Sequence, residues 1–93
     1  MITIHVKYFN TLVALAGKME EYVEIVEGAT IHQLISHLAK LNNASFQNVI
    51  ISEGKISPHL SIFHNDIHIT DEKLAIPLVD GDSILLFPAV SGG

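Results

Sequence analysis

Two stretches of alternating hydrophobicity, followed at once by one stretch of helical periodicity, set the tightest limit on how this chain folds. Ile2, Ile4, Val6 and Tyr8 alternate with Thr3, His5, Lys7 and Phe9. That period of two predicts a strand with one buried face. Asn10-Thr11 break the pattern, and Leu12-Val13-Ala14-Leu15-Ala16 reads as one helical turn stopped by Gly17. Alternation returns over 21–27, with Val23 and Ile25 on one face and Glu24 on the other, which gives an N-terminal hairpin. Thr30-Ile31-His32-Gln33 then matches a capping box, in which the threonine hydroxyl takes a free backbone N–H and the glutamine reaches back. Ile31, Leu34, Ile35, Leu38 and Leu41 follow at three- and four-residue spacing, one apolar stripe on an amphipathic helix. His32, Gln33, Ser36, His37 and Lys40 take the other side, and Asn42-Asn43 provide a stop.

Beyond the helix the elements shorten. Val49-Ile50-Ile51 reads as a short buried strand, and Glu53-Gly54-Lys55 as a turn. Leu60, Ile62 and His64 alternate with Ser61 and Phe63, a third main strand. Asn65-Asp66 makes a tight turn, because both residue types tolerate a left-handed backbone, and Ile67-His68-Ile69 returns from it. Thr70 caps one helical turn over 70–73, Asp80-Gly81-Asp82 is a further turn, and 83–87 is the last strand. Pro88 has no N–H for a ladder, so pairing is expected to end there. Strand, strand, long helix, short strands and a returning last strand make an α+β domain. Four to five strands packed on one long helix in a mixed sheet describe a β-grasp, ubiquitin-like order; a split βαβ order satisfies the same periodicity. Residues 1–88 form that domain and 89–93 a C-terminal tail.

Composition removes several classes of function. Hydrophobic residues are 48% and charged ones 16%, the reverse of a disordered chain. The absence of cysteine excludes disulfides, thiolate zinc sites, iron–sulfur clusters and cysteine nucleophiles. The net charge is −5 and no arginine is present, so no basic face is available for nucleic acid. No apolar run reaches the roughly 20 residues of a membrane span. Met1-Ile2-Thr3 leads directly into a strand, so no signal peptide and a cytoplasmic location are expected.

Internal catalytic constellations are also missing. His32 and His37 are five apart and face different sides of the helix, while His64 and His68, four apart, lie in strand-like sequence. The six histidines are therefore expected at the surface with no common job, and no metal ligand set is assigned. Glu20-Glu21, Asp71-Glu72 and the pair Asp80 and Asp82 fall in turns or at strand starts, where a solvated surface is the expectation. Gly17, Gly28, Gly54 and Gly81 are isolated and form no phosphate cradle.

The end of the chain reads differently. After Phe87-Pro88 come Ala89-Val90-Ser91-Gly92-Gly93. Six residues from Pro88, fully extended, span roughly 20 Å. Gly92 and Gly93 lack a Cβ, so the tip fits a narrow channel. A terminal carboxylate on Gly93 is a poor electrophile until adenylated, after which it accepts sulfur or an amine.

These pieces together resemble the MoaD/ThiS family of ubiquitin-like sulfur carriers. The resemblance rests on Tyr8-Phe9 through Leu12, Leu15-Ala16-Gly17, the helix start at Thr30-Ile31, Leu78-Val79-Asp80-Gly81-Asp82 and Phe87-Pro88-Ala89-Val90-Ser91-Gly92-Gly93. It is closest to the members that serve as the small subunit of molybdopterin synthase. Ser57-Pro58-His59 before Leu60 matches the long, archaeal-type members also described as small modifiers. Ala89 stands where the family more often has a second proline, and Asn65-Asp66 where it usually has Asn-Gly. The resemblance implies a carrier rather than an enzyme, with no cofactor of its own. An E1-like enzyme spends ATP to adenylate Gly93, a sulfurtransferase exchanges AMP for sulfide, and the resulting thiocarboxylate enters the large synthase subunit and donates sulfur to a pterin precursor. Gly92 lets the end fit, and Phe87, Pro88, Ala89, Val90, Ser91, Phe9 and Phe63 are expected to dock partners. A modifier joined through Gly93 to lysines, or a carrier for thiamin or tRNA thiolation, uses the same end group; a plain ubiquitin-like binding module does not need it.

Overall fold

The computed structural model describes residues 1–89. The elements in order are β1 (Ile2–Tyr8), α1 (Thr11–Ala16), β2 (Glu20–Ile25), α2 (Ile31–Leu41), α3 (Ala44–Ile50), β3 (Ile51–Ser52), β4 (Lys55–Ile56), β5 (Leu60–His64), β6 (Ile67–His68) and β7 (Ser83–Pro88). Five strands form one mixed sheet in the order β2-β1-β7-β5-β6, with β3 and β4 a separate small hairpin. The first hairpin is antiparallel, β7 runs parallel to β1, and β5 runs antiparallel to β7. This is the β-grasp, ubiquitin-like fold. Because β2 pairs directly with β1, the split βαβ order is ruled out.

Alternation does what the sequence pattern requires. Ile2, Ile4, Val6 and Tyr8 of β1, Val23 and Ile25 of β2, Leu60 and Ile62 of β5, and Ile84 and Leu86 of β7 all point into one core. Helix α2 supplies the opposing layer with Ile31, Leu34, Ile35 and Leu38, each fully buried. Its capping box is complete: Gln33 N–H donates to the Thr30 hydroxyl at 3.2 Å and Thr30 N–H donates to Gln33 Oε1 at 2.8 Å. Gly17 closes α1 at φ 76°, a conformation that a side chain disfavours.

Several expectations change. The segment ending in Val49-Ile50-Ile51 is not a strand but α3, with only Ile51 left to begin β3. Its β-branched run suggested a strand, yet Asn43 caps it by accepting Phe46 N–H at 2.9 Å, and Phe46 and Ile50, four apart, are both fully buried. Packing of α3 against α2 moves the covered face of α2 toward Ala39, so Leu41 lies 57% exposed instead of completing the stripe. The 70–73 turn exists as a 3-10 turn over Asp71–Lys73, but the Thr70 side chain makes no capping bond there. Finally, pairing does not stop at Pro88, since Ala89 N–H donates to the His59 carbonyl at 2.8 Å.

Asp82 departs most from its expected place in a solvated turn. It is buried, accepting Val79 N–H and His64 Nε2–H at 2.9 Å and Asn65 Nδ2–H at 3.0 Å. Asn65 also accepts Ser83 N–H at 2.8 Å, which holds the Asn65-Asp66 turn with both residues at positive φ. Burial pushes the Asp82 carboxyl up, but the bonds from Val79, Asn65 and His64 outweigh it and leave it below the ordinary value. Asp80 is likewise employed, accepting Thr3 N–H at 2.7 Å. In the other direction, burial first and Glu21 next push the Tyr8 phenol well above its usual range.

Leu34→Ala or Ile35→Ala should cost about 2–5 kcal/mol in urea unfolding, and Thr30→Ala about 1 kcal/mol. A lowered carboxyl contributes stability above its unfolded value and loses it as the pH falls through the folded one. The stability gap between the parent chain and Asp82→Asn should therefore close as the pH drops below about 4, a change read by denaturant midpoints at neutral and strongly acid pH.

Candidate functional site

The site is built where β7 ends. Even-numbered residues of β7 turn their backbone groups toward β1, where Leu86 O accepts Phe9 N–H at 3.2 Å, and odd-numbered ones toward β5, where Ala89 donates to His59. The missing N–H of Pro88 thus faces the β1 side, which the chain has already left at Asn10 to enter α1. No ladder bond is lost, and this explains why pairing continues on the other edge to Ala89. Pro88 O still needs a donor, and Asn10 Nδ2 provides it at 3.2 Å. On the β5 side Ser57, itself buried, accepts His59 N–H at 3.2 Å and steadies the loop that receives Ala89. The end of β7 is held from both flanks.

The open face of the sheet beside this root carries the aromatic residues singled out above. Phe9 and Phe87 are 39% and 38% exposed and stack with ring centroids 5.7 Å apart. Phe63 stands on the same face opposite Leu85, and its ring meets His68 at 5.2 Å rather than joining that pair. The buried side of β7 is Ile84, Leu86 and Pro88, so Phe87 is not core. Pro88 is buried and fixes the root, whereas Ala89 is exposed. Val90, Ser91, Gly92 and Gly93 lie outside the described residues.

The histidines divide into separate local roles. His5 meets Glu20 at 2.7 Å and stacks on Tyr22 at 4.5 Å, and His64 meets Asp82. These two are carboxylate-paired and only partly exposed, which the sequence reading of six surface histidines did not anticipate. Asn10 breaks the β1 pattern in the sequence, and nothing local marks it as a partner of Pro88 O. Among the described residues no group of three His, Asp or Glu side chains is placed to hold a metal ion, and no helix is long and apolar enough to cross a membrane.

The ThiS family model matches residues 6–93, nearly the whole chain. The chain belongs to the ThiS family. Its relatives within and around that family are named as modifiers and as carriers. Small archaeal modifier protein 3 of Haloferax volcanii is 24% identical over 97% of this chain and 98% of its own length. A candidate sulfur carrier protein of Archaeoglobus fulgidus is 31% identical over 72% of this chain and 77% of its own length. Among solved structures, a candidate molybdopterin converting factor, subunit 1, from Pyrococcus furiosus superposes with a TM-score of 0.78 at 29% identity, covering 97% of this chain and all of that one. The ThiS-family assignment rests on the same stretch that contains Phe9, Asn10, Phe87 and the Gly-Gly end.

Phe87→Ser should cost about 1 kcal/mol, the loss of a partly exposed aromatic pair. Leu86→Ala, one residue away on the buried face, should cost about 2–5 kcal/mol. Thermal or urea unfolding of the two variants side by side checks the assignment of faces.

Proposed function

We propose that this ThiS-family chain is the sulfur-carrier small subunit of a molybdopterin synthase, itself non-catalytic, with the Gly93 carboxylate as its reactive group. The observation that carries the reading is the junction of an anchored β7 with the sequence Ala89-Val90-Ser91-Gly92-Gly93. An E1-like enzyme attacks ATP with the Gly93 carboxylate, giving an acyl-adenylate and pyrophosphate. Sulfide supplied by a sulfurtransferase displaces AMP and leaves a thiocarboxylate. That end enters the large synthase subunit, where sulfur passes to the pterin precursor. Gly92 and Gly93 admit the end to a narrow channel, and Val90 and Ser91 provide the reach. Phe9 and Phe87, with Phe63 further along the same face, are the docking surface; buried Pro88 and exposed Ala89 set the root.

The likeness to an archaeal modifier protein over 97% of the chain supports a second reading, conjugation of Gly93 to substrate lysines through the same adenylate. Carriage of sulfur toward thiamin or tRNA shares every step up to the thiocarboxylate. Incubation with ATP, an E1-like enzyme and a sulfur source separates the readings. A carrier gains the mass of one sulfur in place of one oxygen at its end, while a modifier leaves Gly-Gly remnants on lysines of other proteins. Only a molybdopterin synthase subunit then supports dithiolene formation when the large subunit is added.

Removing Gly93, or adding one residue after it, should abolish sulfur transfer while the melting temperature stays where it was. A large fall in melting temperature would make the tail structural and defeat the carrier reading. Phe87→Ser should weaken binding to the large subunit by about 2 kcal/mol or more, the level of an interface anchor; calorimetry that finds unchanged affinity moves the docking surface elsewhere.

A further inference from the structure

Asn10 carries three features that no local requirement explains together. Its backbone sits at φ 52° and ψ −133°, a combination of positive φ and strongly negative ψ that glycine adopts freely and other residues rarely do. It occupies the N-cap position of α1, where an asparagine side chain ordinarily accepts a helix N–H, yet it makes no such bond. Instead its amide nitrogen crosses to the far end of the chain and donates to Pro88 O. A glycine would relieve the backbone and serve nearly as well at the cap. What a glycine lacks is the donor that reaches the root of the tail.

We propose that Asn10 is a positioning residue that sets the direction in which the reactive tail leaves the domain. In a continuing parallel ladder, the carbonyl of Pro88 would be taken by a backbone N–H of the strand alongside. Strand β1 ends at Tyr8, so the side chain of Asn10 stands in for the next rung, and the turn that aims it keeps the unfavourable backbone. With Ala89 N–H bound to His59 O on the other edge, the peptide between Pro88 and Ala89 is held through both its carbonyl and its N–H. Two bonds on opposite edges fix the rotation of a peptide plane, whereas one leaves it free to swing. That plane is the last one described before the sequence Val90-Ser91-Gly92-Gly93. Strained residues of this kind persist where surrounding structure over-determines them, and the partner that over-determines Asn10 is the tail root. The inference rests on the proposed use of Gly93 as the reactive end, since only then does the departure angle matter to an enzyme.

Two variants test it. Asn10→Gly removes both the strain and the donor, and Asn10→Asp keeps a short polar side chain that tolerates positive φ but replaces the donor with an acceptor facing a carbonyl. Both should unfold in urea at or close to the parent midpoint, with Asn10→Gly unchanged or higher. In both, the Ala89 amide should show a lower NMR order parameter and faster hydrogen exchange. With the E1-like enzyme that adenylates the parent chain, kcat/KM should fall about ten-fold or more, as misplacement of a reacting group does, with the loss in kcat rather than KM because the docking face is intact. Unchanged order and exchange at Ala89 in both variants would overturn the proposal. So would a marked loss of stability in Asn10→Gly, which would make Asn10 a structural pin. Should no E1-like enzyme adenylate the parent chain, the proposed function fails by itself, and the order parameter at Ala89 still decides whether Asn10 holds the root.

Discussion

The parallel pairing of β1 with β7 is the contact on which the rest of the molecule depends. It places the first and last strands side by side at the middle of the sheet, so that each has a neighbour on both edges. Val6 against Ile84 and Tyr8 against Leu86 then form the floor on which α2 rests. The same pairing brings the turn after β1 to the root of the tail, which is why residues as distant in sequence as Phe9 and Phe87, or Asn10 and Pro88, come into contact. The stable core and the candidate site are two ends of one strand pair.

What a strand exposes follows from what it must bury. With Ile84, Leu86 and Pro88 committed to the core, Leu85 and Phe87 have only the open face available. Helices cover one side of the sheet, and the other side is left to Phe9, Phe63, Phe87 and the His5–Tyr22 stack. A small two-layer domain therefore displays an aromatic surface as a by-product of its topology. That surface lies beside the end of β7.

The fold was legible wherever one residue's neighbours along the chain decide its fate. The alternation of β1, the capping box of α2 and the Gly17 stop are local signals, and each element lies where they put it. Reading failed where the decision is tertiary. The β-branched residues of Val49-Ile50-Ile51 favour a strand locally, but a helix puts Phe46 and Ile50, four apart, on one buried face packed against α2 and Tyr8. Asp82 reads as a turn residue because its partners, His64 and Asn65, are nearly twenty positions away. Of the candidate site, the alternation of β7 places Phe87 opposite the core face, and the structure leaves it half exposed. The contact of Asn10 is not legible in the sequence, since it depends on a carbonyl that lies 78 residues along the chain.

The central place of β7 also governs the order in which the molecule comes into being. It leaves the ribosome after the four other strands of its sheet, yet both β1 and β5 need it as a neighbour. Without it, β1–β2 and β5–β6 are separate pairs, and β1 and β5 each keep an unpaired edge. Such edges recruit strands from other chains. Closing the sheet joins residues about eighty positions apart, the kind of contact that makes folding slow. One strand thus slides between two waiting ones, and the sheet and the anchored end of β7 are completed in the same event.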